Sequence, residues 1–225
     1  MPGKKYQEAV KLVDAKKLYS PSEALELAKK TSTVKFDASI EVHCHLGIDP
    51  AKSDQAVRAT LTFPHGTGKS KRIAAFVDAA NEKAAEEAGA DIVGGDRLID
   101  EIASSGKIDF DVAIATPPIM AKLAKVAKVL GPKGLMPNPK SETVTTDVKK
   151  TIAELKRGKV TFKNDDTGNV HQVLGKVSFD TQKLLENFQT LLEALRKAKP
   201  SSSKGIYLQS CTISASMGPA IKVSI

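Results

Sequence analysis

The hydrophobic positions in the first part of the chain change from helical to alternating spacing. Apolar residues recur at helical intervals over residues 4–13 and 21–30, and Ser20 precedes a proline at the first helical position, where an N-cap is expected. Over residues 38–46 and 56–63 apolar and polar residues alternate. The pattern predicts two short helices and then two strands, which we expect to pair with each other.

The first predicted strand has two chemically different faces. Side chains alternate across a strand, so Ile40, Val42 and Cys44 would share an apolar face. The opposite face would be polar and open to a ligand. Its residues are Ser39, Glu41, His43 and His45.

Short apolar strands alternate with helices in the middle of the chain. The strands are predicted at 73–77, 92–93 and 112–115, and the helices at 81–88, 97–103, 119–130 and 146–157. Glycines fall where helices end or strands turn. This rhythm is typical of a Rossmann-like parallel α/β domain.

The end of the chain returns to an antiparallel pattern. Strands are predicted at 160–163, 170–179, 206–213 and 220–225, with a turn at 165–168 and a long helix at 181–197. Since both ends share this pattern, we predict a discontinuous two-domain α/β protein. An outer domain with an antiparallel sheet, residues 1–66 and 160–225, would enclose the inserted Rossmann-like domain, residues 67–159.

Charge favours a polyanionic partner. The 225 residues include 34 Lys and Arg against 26 Asp and Glu, a net charge of +8. The alternative is a soluble basic protein that has no polyanionic partner. The two cysteines, Cys44 and Cys211, lack CxxC spacing, and the first 27 residues contain no apolar segment of the kind found in signal peptides. We expect a cytoplasmic protein with no membrane partner.

The segment Gly66 to Ser70 (GTGKS) resembles the end of a phosphate-binding P-loop. A P-loop needs glycine five positions before Gly68, where this chain has Phe63, and a strand rather than a helix is predicted after Ser70. No nucleophile elbow or acid–base spacing is evident, so we expect neither an enzyme nor a cofactor. A nucleotide-dependent enzyme and a general basic chaperone or DNA binder remain alternatives.

Two further segments have competing interpretations. His43 and His45 would share a strand face that Cys44 does not, so we expect no metal site and a buried Cys44. The loop 131–140 (GPKGLMPNPK) has three prolines that restrict φ and two glycines that permit tight turns. It could be a ligand-contacting protrusion or a rigid connector between a helix and a strand.

Eight segments spread along the chain form a distinctive set of motifs, of which the proline- and glycine-rich loop is the most unusual. They are residues 35–37, 41–43, 46–50, 53–55, 64–66, 89–91, 131–140 and 217–219. Together these motifs resemble large-subunit ribosomal protein one, the L-one family of the ribosomal side stalk, and the resemblance runs nearly end to end.

The resemblance implies the same discontinuous fold and a structural role in the large ribosomal subunit. The outer domain would bind a bent helical junction in large-subunit ribosomal RNA and form a mobile stalk near the exit site for transfer RNA. The resemblance also implies repression of the protein's own messenger RNA through a mimic of that junction. We expect a monomer off the ribosome.

Motif by motif, the resemblance also implies an RNA-binding face. Phe36 can stack on a base or ribose, the serines can exchange hydrogen bonds with 2′-hydroxyls, and Glu41 can accept from a 2′-hydroxyl or a base amino group. From composition alone, core packing of Phe36 and Met217 is equally open. The implied RNA-binding residues are Lys35, Phe36, Ser39, Glu41, Lys163, His171, Ser210, Ser216, Met217 and Gly218.

Two residues on the implied RNA-binding face differ from the residues that the family usually has. Ser39 and Ser216 stand where the family usually has threonine, so each position keeps the hydroxyl but loses a methyl group, and the affinity for RNA would decrease.

Glycines mark both crossings between the predicted domains. The predicted hinge residues are Gly66, Gly68, Gly158 and Lys159.

Overall fold

The computed structural model describes residues 3–52 and 54–225. Met1 and Pro2, which open the predicted outer domain, and Ser53, which belongs to one resemblance motif, lie outside the described residues. The chain forms two compact units, Met1–Gly68 with Val160–Ile225 and Lys69–Lys159. Thr67 and Gly68, which the sequence prediction places in the insertion, belong to the first unit. A Cβ at Gly68 would contact the side chains of Lys176 and Phe179 in that unit.

Nine strands and eight α-helices are present among the described residues. The strands are β1 (Ser39–Leu46), β2 (Arg58–Thr62), β3 (Ile73–Phe76), β4 (Ile92–Gly94), β5 (Val112–Ala115), β6 (Lys159–Lys163), β7 (Asn169–Lys176), β8 (Leu208–Ala215) and β9 (Ile221–Val223). The helices are α1 (Lys4–Lys11), α2 (Pro21–Lys30), α3 (Ala79–Glu87), α4 (Asp96–Ser105), α5 (Pro117–Leu123), α6 (Ala127–Leu130), α7 (Val148–Lys156) and α8 (Thr181–Lys197).

The first unit is built on a four-stranded antiparallel sheet in the order β7-β1-β8-β9. Burial alternates along β1, as the sequence predicts, with Ile40, Val42 and Cys44 fully inside. Helices α2 and α8 cover this face, and α8 contributes Leu184 and Phe188 to the core. Since both helices lie on one side, the opposite face of the sheet is left to solvent.

The predicted pairing between the strands at 38–46 and 56–63 is wrong. β1 lies between β7 and β8, so neither of its edges is free for β2. β2 instead pairs with β6 in a separate two-stranded sheet. Asn164 fixes this arrangement, because its side chain accepts from the backbone N–H of Val57 at 2.8 Å and its own N–H donates to the Val57 carbonyl at 3.0 Å.

The second unit contains a parallel sheet in the order β4-β3-β5. All four residues of β3, Ile73–Phe76, are buried, as expected for a central strand covered on both faces. One core contains Phe76, Ile99 and Leu123, and a second core contains Ile152. The mixed α/β fold, with an antiparallel sheet of terminal strands and an inserted parallel sheet, confirms the predicted fold class.

Some element boundaries differ from the predictions. The helix predicted at 119–130 is interrupted by a 3-10 turn at Ala124–Val126 and begins earlier, because Pro117 is well suited to the first helical turn. Apolar spacing of three or four residues continues across the interruption, so the hydrophobic pattern did not reveal it. The strand predicted at 170–179 ends at Lys176, where the Phe179 N–H bonds back to the Lys176 carbonyl.

The loop 131–140 makes several contacts within the second unit. Leu135 and Met136 pack against the core that contains Phe76, and the Leu135 N–H donates to the Leu130 carbonyl at 3.0 Å. The Thr143 hydroxyl accepts from the N–H of Asn138 at 2.8 Å. These contacts support the connector interpretation for the middle of the loop, while Lys133 is exposed.

Candidate nucleic-acid interface

The solvent face of the four-stranded sheet carries hydroxyl, imidazole and carboxylate groups. Strand register places Glu41 beside Ser214, His43 beside Thr212, and His45 beside Ser210. We call this surface the polar face. Its residues on the three long strands are Ser39, Glu41, His43, His45, Asn169, His171, Val173, Lys176, Ser210, Thr212 and Ser214.

Two serines hold one end of the polar face together. The Ser216 N–H donates to the Ser39 carbonyl at 2.9 Å, and the Ser39 N–H donates to the Ser216 hydroxyl at 3.2 Å. Lys176 places its ammonium 3.0 Å from the Ser39 hydroxyl. These bonds join the first residue of β1 to the turn after β8, so the motifs of residues 35–37 and 217–219 lie at the same end of the sheet.

Met217 has an unusual backbone conformation in this turn. Its φ is 61°, one of only two positive values among the described non-glycine residues, and its side chain is 78% exposed. The Gly218 N–H closes the turn onto the Ala215 carbonyl at 2.8 Å, and a Cβ on Gly218 would come within 3.1 Å of that oxygen. A strained, solvent-exposed methionine is costly unless it contacts a ligand, so the turn is a candidate recognition element.

Phe36 is also exposed, at 60%. Its loop is anchored by Asp37, whose carboxylate accepts from the backbone N–H and the hydroxyl of Ser178 at 3.2 and 2.8 Å. Lys35 is exposed beside it. Neither Phe36 nor Met217 belongs to the core, which excludes the core-packing alternative for both.

Two histidines are hydrogen-bonded across neighbouring strands of the polar face. Nδ1 of His43 lies 2.8 Å from Nδ1 of His171, and Nε2 of His43 lies 3.1 Å from the Ser214 hydroxyl. Nε2 of His171 lies 3.3 Å from a carboxylate oxygen of Asp165. Burial lowers the pKa of His43 below its ordinary value; His171 lowers it further, and Glu41 acts in the opposite direction.

Asp165 organises the turn between β6 and β7. Its carboxylate accepts from the backbone N–H groups of Asn169 and Thr167 at 2.7 and 2.9 Å, and from the Thr167 hydroxyl at 2.9 Å. These bonds, the one from the Asn169 backbone first, hold the pKa of Asp165 well below its ordinary value. Asp165 is therefore a carboxylate at neutral pH.

The chain matches the model of the Ribosomal protein L1p/L10e family over residues 28–219. It is also 54% identical over 220 residues to a protein of Corynebacterium aurimucosum described as large ribosomal subunit protein uL1. That match covers 98% of this chain and 94% of the relative. The chain belongs to the Ribosomal protein L1p/L10e family.

Most residues that the resemblance implied lie on one surface of this family member. Ser39, Glu41, His171 and Ser210 are on the polar face, and Lys35, Phe36, Ser216, Met217 and Gly218 are at its end. Lys163 is on β6, outside the four-stranded sheet. The bridge between Asn164 and Val170 places Lys163 next to His171 in register.

The structure adds polar-face residues that were not among the implied site residues. His43 and His45 were considered as members of a polar strand face and as possible metal ligands but not as RNA-binding residues, and Thr212, Ser214 and Lys176 were not singled out. The signal was present in the alternation of β8, in which Ser210, Thr212 and Ser214 share a parity. Only the strand register shows that these residues join the face of β1.

The predicted hinge residues have distinct environments. Gly66, Gly68 and Gly158 have φ values of 64°, 74° and 105°, which favour glycine. Asn187 fixes Gly66 by donating to its carbonyl at 2.9 Å. Lys159 is buried, and its ammonium bonds Glu154 at 2.7 Å and also Glu142. Burial acts to lower its pKa, but the two carboxylates together outweigh burial and raise the pKa above its ordinary value.

The segment 66–70 does not have P-loop geometry. Lys69 forms an ion pair with Asp111 at 2.7 Å, and the chain after Ser70 leads into β3 rather than a helix. Backbone N–H groups at a helix N-terminus, which a P-loop needs for phosphate, do not follow this lysine. The sequence-based objection to nucleotide binding at this motif is thus supported.

Two further expectations concerned a metal site near Cys44 and a membrane partner. Cys44 is buried, as predicted, with its sulfur 3.6 Å from the sulfur of Cys211 in the core. Within residues 3–52 and 54–225 there is no cluster of three or more His, Cys, Asp or Glu side chains suited to a metal. No helix in the part of the chain that the structure describes is long and apolar enough to cross a membrane.

Proposed function

We propose that this chain is a structural protein of the large ribosomal subunit that binds large-subunit ribosomal RNA through the polar face. Family membership and the large-subunit name of the Corynebacterium relative support the ribosomal role. The observation that carries the RNA proposal is the exposed end of the face, where Phe36 and the strained Met217 project beside Ser39 and Ser216.

The chemistry of the polar face suits RNA better than DNA. Serine and threonine hydroxyls and the carboxylate of Glu41 can exchange hydrogen bonds with 2′-hydroxyls, which DNA lacks. Phe36 offers a surface on which a base can stack, with Lys35 next to it for a phosphate. The net charge of +8 adds a salt-dependent attraction to any polyanion.

A competition experiment tests this proposal. Filter binding at two salt concentrations would compare a large-subunit stalk-junction transcript with a scrambled RNA and a DNA duplex. We expect the junction to be preferred at both concentrations, because hydrogen bonds and shape are less sensitive to salt than phosphate contacts are. Replacing Phe36 with alanine should weaken junction binding by about fivefold or more, since stacking contributes about 1–3 kcal/mol per base.

Leu18→Ala is the matched control, because Leu18 is exposed to a similar extent, 63% against 60%, but is not on the polar face. It should leave the affinity unchanged. Equal binding of all three nucleic acids, with no effect of Phe36→Ala, would refute the proposal and reduce the protein to a generic basic binder.

The finer roles implied by the resemblance form part of the same proposal. The protein would form the mobile side stalk, contact exit-site transfer RNA and repress its own messenger RNA by binding a junction mimic. We also propose that it is cytoplasmic, is a monomer off the ribosome and is not an enzyme. A reporter translated from the protein's own messenger leader should be repressed by wild type and not by Phe36→Ala if the messenger mimics the junction.

A nucleotide-dependent enzyme is not favoured by the inserted unit. In wound sheets, phosphates bind at helix N-termini beyond the carboxyl ends of the strands. Here Asp78 is the N-cap of α3, and Asp96 lies in the first turn of α4, paired with Lys122 at 2.6 Å. These carboxylates would repel a phosphate at the N-termini of α3 and α4.

We further propose that the two units reorient about Gly66, Gly68, Gly158 and Lys159 when RNA binds. Glycine conformations at both crossings support a hinge there. Spin labels on cysteines placed at the exposed Lys107 and Lys183 would report the distance between the units. The buried Cys44 and Cys211 should react poorly with the label. Identical distance distributions in free and junction-bound protein would contradict the proposal.

A further inference from the structure

Four side chains form a continuous hydrogen-bonded chain across the polar face. Ser214 on β8, His43 on β1, His171 on β7 and Asp165 in the β6–β7 turn are joined by contacts of 3.1, 2.8 and 3.3 Å. The chain begins at an ionised carboxylate and ends at a hydroxyl on the face proposed to bind RNA. We call it the histidine relay.

The ionised carboxylate of Asp165 determines where the hydrogens lie when both imidazoles are neutral. Nε2 of His171 must carry a hydrogen, because a bare nitrogen would face the carboxylate. Nδ1 of His171 is then an acceptor and takes a hydrogen from Nδ1 of His43. Nε2 of His43 is left bare, so it accepts from the Ser214 hydroxyl, and Ser214 presents only oxygen lone pairs to a ligand.

One added proton reverses the role of Ser214. The short contact between the two Nδ1 atoms holds a single hydrogen, so the extra proton goes to Nε2 of His43, whichever ring carries the charge. Nε2 then donates to the Ser214 oxygen. The Ser214 hydroxyl hydrogen is thereby released toward solvent, and the polar face gains a positive charge.

We propose that the histidine relay makes RNA binding responsive to protons, with Ser214 as the contact whose hydrogen-bonding direction changes. When the relay is neutral, Ser214 accepts from a donor such as a 2′-hydroxyl. When the relay is protonated, Ser214 donates to a phosphate oxygen, and the imidazolium attracts the same phosphate. This inference rests on the proposed RNA-binding function and names a regulation of the same face.

Some groups around the histidine relay favour its protonation, and others oppose it. Glu41 on β1 favours the protonated form, whereas burial of His43 and the neighbouring His171 oppose it. The Asp165 carboxylate, in the turn before β7, lies 3.3 Å from Nε2 of His171, and Lys163 on β6 lies next to His171 in register. β8 offers only hydroxyls toward His43, and Lys222 on β9 lies opposite Thr212, one strand farther away. A phosphate bound at the face would add a negative charge and raise the pKa of the pair.

The increase in the pKa of the histidine pair determines how the affinity for RNA changes with pH. RNA-bound protein would hold the proton to higher pH than free protein, so affinity rises as the pH falls. The gain is complete below the pKa of the free pair and is lost as the pH rises through the pKa of the bound pair. If RNA raises the pKa of the pair by about one unit, the affinity for the stalk-junction transcript rises by about tenfold as the pH falls from about 8 to below the pKa of the free pair.

The test measures junction affinity across this pH range for wild type and two histidine variants of the full chain. His43→Asn cannot take up a proton or contact Ser214 through an Nε2 atom, but its amide nitrogen can still donate to Nδ1 of His171. We expect it to reduce the pH response to about twofold or less. His45→Gln is the matched control, because His45 lies on the same strand and face but bonds Asn169 outside the relay. It should retain the full response.

A nitrogen-15 NMR spectrum of the free protein tests the hydrogen positions without RNA. At neutral pH we expect Nδ1 of His43 and Nε2 of His171 to be protonated, and the other two ring nitrogens to be bare. A protonated Nε2 on His43 at neutral pH would overturn the relay, as would an equal pH response in His43→Asn and wild type. A junction preference that is the same at every pH would refute the relay and leave the proposed function standing. Absence of any junction preference would refute both.

Discussion

At the scale of single residues, the end of the polar face combines exposure with strain. Met217 holds a left-handed conformation that costs a residue with a Cβ about 1–2 kcal/mol, and its side chain makes no compensating contribution to the core. Phe36, at the same end of the sheet, leaves most of its ring in water. Features that reduce stability are expected where binding needs them.

Replacing Met217 with glycine should therefore stabilise the protein and weaken RNA binding. We expect the free energy of unfolding to rise by about 1 kcal/mol in urea titrations, because glycine adopts positive φ without a Cβ clash. Junction affinity should fall by roughly tenfold through loss of the side chain. Met217→Ala removes the same side chain beyond Cβ but keeps the strain, so it should weaken binding without the gain in stability. A destabilised Met217→Gly protein would show that this turn is not strained.

At the scale of elements, the turn between β6 and β7 depends on one carboxylate. The lowered pKa of Asp165 means that its ionised form stabilises the folded state. This stabilisation is fully present above the pKa of about 3.9 that an aspartate has in the unfolded chain. It is lost as the pH falls through the lower pKa that Asp165 has in the folded protein. Acid should therefore weaken the turn that precedes β7.

Asp165→Ala should destabilise the protein at about pH 7, and the difference from wild type should shrink at about pH 3, where the Asp165 carboxylate of the unfolded chain is largely protonated. Urea unfolding at the two pH values measures this. Asp166→Ala is the neighbouring control, since no hydrogen bond or ion pair of the Asp166 side chain is seen among residues 3–52 and 54–225. A constant difference between Asp165→Ala and wild type at both pH values would show that the turn is held by other groups.

Local patterns predicted the elements better than their pairing. Alternation along β1 and burial of Cys44 follow from residues within one strand, so both were predicted from sequence. The partner of β2 was not, because β6 lies about a hundred residues away and no local pattern encodes that contact. The hydrogen bond between His43 and His171 depends on the same kind of distant register. Met217 was found through a resemblance motif rather than periodicity, whereas alternation had already placed Ser39 on a polar strand face.

At the scale of the whole molecule, the first unit offers the chemistry for RNA and the second offers little for a nucleotide. The polar face collects side chains from three strands that are distant in sequence. The second unit instead has Asp78 and Asp96 at the helix termini where phosphate would bind, and Lys69 is paired with Asp111. The two surfaces therefore predict different maps of contact with RNA.

The most direct measurement is a map of backbone amide chemical shifts in the full chain as the stalk-junction transcript is added. We expect the largest changes on β1, β7 and β8 and on the segments around Phe36 and Met217, with smaller changes in Lys69–Lys159. Changes concentrated in Lys69–Lys159, with the polar face unaltered, would contradict the claim that this face binds RNA.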